Sequence, residues 1–214
     1  MQVTRIIAVR HGETAWNIDT RIQGHLDVGL NEKGRWQVQR LSRALAARET
    51  IAAIYTSDLL RAWDTARAIA EATRRPLHSV EGLRERSFGS FEGKTYAEIE
   101  TGYPQDALRW RQRDPEWTPP QGESLLALRA RVLETARTLA AQHVGEQIVL
   151  VAHGGVMDML YRAANGIDLQ TPRTWNLGNA AANRLLWSSE GFSLVGWSDT
   201  SHLDDDAVLD ETTS

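Results

Sequence analysis

The chain has 214 residues, no cysteine and a formal net charge of −4 at pH 7, which is length enough for one domain with a substantial core. The missing cysteines exclude disulfides and thiolate metal sites, and the acidic balance argues against nucleic acid as a partner. No apolar run reaches the roughly 18–20 residues of a membrane helix and no signal-peptide pattern opens the chain, so a cytoplasmic protein with no membrane partner is expected.

In chain order, Arg5-Ile6-Ile7-Ala8-Val9 is a short β-branched run that reads as a strand buried on both faces. Val38, Leu41 and Leu45 then share one helical face. Ile51 to Tyr55 is a second strand, and Leu59, Ala62, Trp63, Ala66 and Ala70 line the next helix, with Ser57 as its N-cap. Residues 94–122 hold four of the six prolines and only short helical patterns, the mark of a lid or excursion from the sheet. Leu125, Leu128, Val132, Ala136 and Leu139 give a further helix capped by Ser124, followed by the strand Gln147–Ala152. Ala181–Trp187 and Phe192–Trp197, parted by Ser-Ser-Glu-Gly, read as a hairpin. Alternating strands and helices predict a three-layer α/β/α sandwich with a mostly parallel central sheet, made mixed by the hairpin. Residues 1–203 form the expected single domain, and 204–214 an acidic, disordered tail.

Two of these strands end alike, in Val9-Arg10-His11-Gly12 and Val151-Ala152-His153-Gly154, each followed by helix-compatible sequence. Ligands of open α/β sheets bind at the carboxyl ends of strands, and helix N-termini there favour anions. If the strands are neighbours, His11, His153 and Arg10 meet in one pocket. Two histidines and an arginine suit phosphoryl transfer. Imidazole is a good nucleophile when one ring nitrogen is held as a donor, and the transferred group is stabilised by cations. The leaving alkoxide then needs a proton from a carboxylic acid. Lys33 and Lys94 are the only lysines. Arginine suits bidentate phosphate recognition, but where it is so common any single one reads first as a solvated surface residue.

Arg10-His11-Gly12-Glu13-Thr14 with Trp16-Asn17 resembles the signature of the histidine phosphatase superfamily, which includes the cofactor-dependent phosphoglycerate mutases. The resemblance continues through Gln23-Gly24-His25-Leu26-Asp27, Thr56-Ser57-Asp58-Leu59-Leu60-Arg61-Ala62, Leu83-Arg84-Glu85-Arg86-Ser87-Phe88-Gly89, Gly122-Glu123-Ser124, Val151-Ala152-His153-Gly154-Gly155 and Asn179. It implies that His11 becomes phosphohistidine, that Arg10, Arg61 and His153 hold the phosphoryl oxygens, and that Asn17, Gln23, Gly24 and Gly154 complete the pocket. Glu85 is then the proton donor and afterwards the base for water. No metal is implied. The partner is a small phosphorylated metabolite: sugar phosphates, phosphoglycerates, a ribazole phosphate and a glucosyl phosphoglycerate all fit, and a monomer and a homodimer both stay open.

Within that superfamily the chain resembles the phosphatases, closest to the broad-specificity group, more than the mutases. His153 follows Glu85 by only 68 residues, where mutases carry a longer insertion. Gln23 stands before Gly24 where mutases usually have a small hydroxyl residue, and Glu85-Arg86-Ser87-Phe88-Gly89 has the phosphatase pattern. A mutase, using bisphosphoglycerate as cofactor, is the alternative. A non-catalytic phosphate-binding relative is the second, but it should lack the nucleophile or the acid, and both are present.

Without the resemblance Glu85 reads as a surface charge; for Asn17 the alternative is a helix-end residue, and for Arg61 a solvated arginine, although its place in the first turn after Ser57 favours the pocket. Glu13 and Glu92 are rival acids. Trp16, Trp63, Trp175, Trp187 and Trp197 read as core or packing residues; His78, His143 and His202 as surface or loop residues. Arg109, Trp110, Arg111 and Arg113 read first as a solvated helix face, and next as a lid surface for the non-phosphate part of a substrate.

Overall fold

The computed structural model describes residues 2–204, so the expected disordered tail lies, beyond Asp204, outside the described residues. A six-stranded sheet runs in the order β3-β2-β4-β1-β5-β6. β1 is Thr4–Arg10, β2 Ala53–Thr56, β3 Leu77–Ser79, β4 Gln147–Ala152, β5 Ala182–Ser188 and β6 Gly191–Asp199. β1 pairs in parallel with β4, and β2 in parallel with β4 and β3, while β5 is antiparallel to β1 and β6. The sheet is therefore mixed at the hairpin edge, as the sequence predicts.

Strand alternation sorts the apolar residues into two layers. Ile6, Ala8, Ile148 and Leu150 pack under α6 (Leu125–Ala141) and α7 (Gly154–Asn165). Ile7, Val9, Val149 and Val151 pack under α2 (Glu32–Arg48) and α3 (Leu60–Thr73). Each central strand thus needs apolar residues at every position. Its hydrophobic run is continuous for that reason.

Ser124 caps α6 by accepting the Ala127 N–H. Ser57 does not cap α3: the helix starts at Leu60 after Leu59, and Ser57 Oγ accepts only the Leu59 N–H, at 3.2 Å. The capping acceptor comes from a distant loop, where Asp27 takes the Leu60 N–H at 2.7 Å. A carboxylate at a helix N-terminus satisfies an orphan donor and meets the positive end of the dipole.

Trp16, Trp63, Trp175, Trp187 and Trp197 are half-buried, and Trp187 and Trp197 pack against the core under α6 and α7. The deeply buried tryptophan is Trp117, which joins Phe91, Ile99 and Ala107 in a separate small core. Phe88, Tyr96 and Trp110 pack against it. That core organises the proline-rich excursion, with α4 (Tyr96–Gly102) and α5 (Pro104–Arg111) as its helices. Buried Arg86 binds it to the main body, donating to the carbonyls of Glu123 and Trp117 at 2.7 and 3.2 Å.

Candidate active site

β1 and β4 are neighbours, and their carboxyl ends lead to helices on opposite faces of the sheet, α2 after β1 and α7 after β4. This is the crevice at a topological switch point. The His11 N–H donates to the Ala152 carbonyl at 3.0 Å, which ties the two strand ends together. The His11 and His153 rings lie with centroids 5.3 Å apart, both buried.

His11 Nδ1 sits 2.7 Å from the Gly12 carbonyl oxygen. That oxygen can only accept, so Nδ1 carries the proton and Nε2 keeps its lone pair. The Gly12 peptide is held in turn by Thr65, whose Oγ1 accepts the Gly12 N–H at 3.1 Å. Gly12 has no room for a side chain, since a Cβ there would stand 2.7 Å from the Gly34 carbonyl. Burial first, then the cations Arg10 and Arg61, hold His11 well below its ordinary pKa near 6.5. Burial first, then Arg61, His11 and Arg10, hold His153 well below that value.

Arg61 is 1% exposed, which excludes the alternative of a solvated arginine. Its guanidinium donates to the carbonyls of Leu26 and Gly24 at 2.9 and 2.8 Å. Burial brings its pKa down to about 10, against the pull of Glu85 and Asp27, so it stays charged at neutral pH. Arg10 is lowered mainly by burial too, and donates to the Leu177 carbonyl. Gly24 has φ +49°, and a Cβ there would run into the Glu92 carboxylate.

Arg10, His11, Asn17, Gln23, Gly24, Arg61 and Glu85 line one cavity of about 190 Å³. His153 lies against it through His11, and Gly154 lines the larger cavity next to it. All nine residues that the sequence singles out are therefore brought together. Several buried polar atoms at this point find no protein partner: Arg10 Nε, Arg61 Nε, Gln23 Oε1 and both ring nitrogens of His153. Buried polar groups are normally satisfied; four of these five atoms are nitrogens, and the arginine N–H groups among them are donors to offer an anion.

Asn17 serves the helix as well as the cavity. Its Oδ1 accepts the Thr14 N–H at 3.0 Å in a capping box at the start of α1 (Ala15–Ile18). Asn179 braces the same place, donating to the His11 carbonyl at 2.9 Å and to Asn17 Oδ1 at 3.3 Å.

Glu85 is no free surface charge. Its carboxylate accepts the N–H groups of Arg86 at 2.8 Å and of Gly155, at the start of α7, at 3.0 and 3.1 Å. Its backbone carbonyl accepts from His25 Nε2 at 2.8 Å and from Arg131 at 3.3 Å. Arg131 also pairs with Glu123 and donates to the Gly82 and Arg84 carbonyls. The rival acids are tied up elsewhere: Glu92 accepts the His25 and Phe88 N–H groups, and Glu13 holds Asn31 and Lys33. Among the described residues no group of three or more His, Asp or Glu side chains is arranged to hold a metal, and no helix is long and apolar enough to cross a membrane.

The second cavity, of about 860 Å³, shares Arg10, Glu85 and Phe88 with the first. Its walls include Tyr96, Trp110, Arg111 and Arg113, so these are not simply a solvated face; Arg109 is, paired with Asp114 at 2.8 Å. Of the opposite wall, Pro172 to Leu177, the sequence names only Trp175, and that as a core or packing residue. Only the run Thr-Pro-Arg-Thr-Trp-Asn, a loop with a cation and an aromatic, hints at it. Thr65, Arg131, Gly155 and Asn179 were likewise not read as site residues, although the last two fall inside quoted motifs. His78 and His143 flank Tyr55, with Tyr55 Oη 2.8 Å from His143 Nε2.

The sequence matches the histidine phosphatase superfamily (branch 1) over residues 6–200. It is 36% identical to phosphoglycerate mutase-like protein 4 of Arabidopsis thaliana, over 95% of this chain and 89% of that protein. It is 37% identical to a metal-independent phosphoserine phosphatase of the same plant, over 94% of this chain and 84% of that protein. Among solved structures, YhfR of Bacillus stearothermophilus superposes with a TM-score of 0.86 at 33% identity, covering 94% of this chain and all of that one. Sequence, fold and the paired strand-end histidines agree: the chain belongs to branch 1 of the histidine phosphatase superfamily.

Proposed function

We propose that the protein is a phosphatase that hydrolyses small phosphate monoesters through a phosphohistidine on His11, without a metal or other cofactor. The observation that carries the reading is His11 itself, its proton fixed on Nδ1 by the Gly12 carbonyl and its Nε2 set among unpartnered buried nitrogens of Arg10, Arg61 and His153. The Nε2 lone pair attacks phosphorus; the P–N bond forms as the ester P–O bond breaks, and the leaving oxygen takes a proton from Glu85. Glu85 then removes a proton from water, whose oxygen attacks phosphorus and breaks the P–N bond, returning His11. Arg10, Arg61 and a protonated His153 stabilise the charge on the phosphoryl oxygens in both steps, with Asn17, Gln23, Gly24 and Gly154 shaping the pocket.

The dianionic group itself supplies the countercharge that lets His153 take up a proton. The larger cavity favours hydrolysis over mutase chemistry. Once the leaving group departs, about 860 Å³ beside Glu85 is open to water, whereas a mutase must exclude water from its phosphoenzyme. Residues 94–122 act as the lid over that space, within a single domain spanning 1–203.

The test is to mix the enzyme with a ³²P-labelled monoester, quench within milliseconds, and look for label in an acid-labile, base-stable linkage. The label should appear in wild type and vanish in His11→Ala. Label that persists in His11→Ala overturns the nucleophile. Rapid interconversion of 2- and 3-phosphoglycerate in the presence of bisphosphoglycerate, with little release of phosphate, overturns hydrolysis.

A further inference from the structure

The larger cavity holds more positive charge than binding one phosphoryl group requires. Most of its cations already have protein partners. Arg113 pairs with Asp158 at 2.8 Å and donates to the Leu169 carbonyl at 2.6 Å. Arg111 pairs with Glu100 and donates to Tyr96 Oη. Arg86 is spent on backbone carbonyls, and Arg10 faces the phosphate cavity.

Arg173 differs from all of these. It lines the cavity yet makes no hydrogen bond or ion pair with a described residue, and it stands close enough to Arg10 and Arg162 to depress both. Arg173 is exposed at the cavity wall, where its guanidinium can meet an anion that enters.

The loop that carries it is not loose. Arg162, 1% exposed, donates to the carbonyls of Asp168 and Thr171, and its guanidinium lies 4.8 Å from the centre of the Trp175 ring. Asp158 pairs with Arg162 at 3.1 Å while also holding Arg113. One buried carboxylate thereby fixes both walls of the cavity, and Arg173 is presented from an anchored loop. The volume also exceeds what a three-carbon acid needs, since pockets of roughly 300–1,000 Å³ hold drug-sized ligands.

We propose that the substrate is a phosphate monoester whose leaving group carries a second anionic group, bound by Arg173, on an organic body larger than a three-carbon acid. This rests on the phosphatase reading and adds its substrate class. The body lies between Trp110 and Tyr96 on one side and Trp175 on the other, and the second anion reaches the guanidinium at the mouth.

The test uses three aryl phosphates of matched shape: 4-carbamoylphenyl phosphate, which is neutral at the far end, 4-carboxyphenyl phosphate and 4-phosphonophenyl phosphate. In wild type, kcat/KM should favour at least one acidic ester over the carbamoyl ester by about tenfold, carried mainly in KM. The preferred anion tells carboxylate from phosphate. That ratio should fall to near one in Arg173→Ala, invert in Arg173→Glu and partly survive in Arg173→Lys. A wild-type ratio near one for both anions, or a ratio unchanged in Arg173→Ala, overturns the proposal. Failure of wild type to hydrolyse any of the three esters overturns the phosphatase reading, and the proposal with it.

Discussion

The two ends of the site are built on different principles. At the phosphate end the working atoms are set by the main chain: His11 and His153 follow adjacent parallel strands, and a backbone carbonyl fixes the His11 tautomer. These groups are buried, 2% and 0% exposed, and their positions move only if the sheet moves. At the leaving-group end the walls include long side chains from two segments, 86–113 and 172–177, anchored through the Asp158 ion pairs. A sheet edge gives one invariant geometry for a group common to every ester. Loop side chains leave the rest of the substrate to be chosen separately.

The sharpest test of that division is His11→Ala, which should cost 10⁴-fold or more in kcat for every ester alike, on the order seen when a nucleophile is removed. A loss that varied strongly between esters would blur the two ends. Glu85→Gln should cost about 10²–10⁴-fold for alkyl phosphates but much less for p-nitrophenyl phosphate, because nitrophenolate leaves without a proton. Equal slowing of both would remove Glu85 as the acid.

Asp158→Ala strands the buried Arg162 charge and should cost about 3 kcal/mol of stability by denaturant titration. It should also erase leaving-group preference while the surviving folded enzyme still forms phosphohistidine. Preference retained in that variant would show that the two walls are held some other way.

Gly155→Ala is subtler. Its Cβ would stand 2.3 Å from Glu85 Oε1, so the carboxylate must move. A loss of about tenfold is expected for alkyl phosphates, with little change in melting temperature. A loss shared by p-nitrophenyl phosphate would point instead to displacement of the phosphate pocket.

The smallest effect is on stability against pH. His11 and His153 are held below their ordinary value, whereas in the unfolded chain they titrate near 6.5. As pH falls through about 6.5 the unfolded chain takes up protons that the folded one refuses. The contribution is therefore complete above that pH and is lost on acidification toward the folded pKa values. The melting temperature should drop between pH 7.5 and 5.5, and His153→Asn should flatten that slope. An unchanged slope would mean that His153 is not the neutral, buried group described.

Local pattern made much of the molecule legible. Continuous β-branched runs such as Ile6–Val9 and Ile148–Val151 can only be strands covered on both faces, and their shared His-Gly endings marked the cleft. Chemistry narrows quickly when two histidines and an arginine meet at strand ends. What local pattern leaves open shares one cause. Whether Arg61 is solvated, whether Glu85 is a surface charge, and whether Asp27 or Ser57 caps α3 depend on partners 33 to 70 residues away, such as Gly24, Gly155 and Leu60.

By itself, then, the sequence determined the fold class and the family and named the residues that meet at the strand ends, because backbone periodicity and short motifs are local properties. Only the tertiary structure decided which tautomer His11 holds, what positions Glu85, and that a loop near residue 173 faces the excursion across one cavity. Those are consequences of chain crossings that bring distant segments within hydrogen-bonding reach, and no local pattern encodes them.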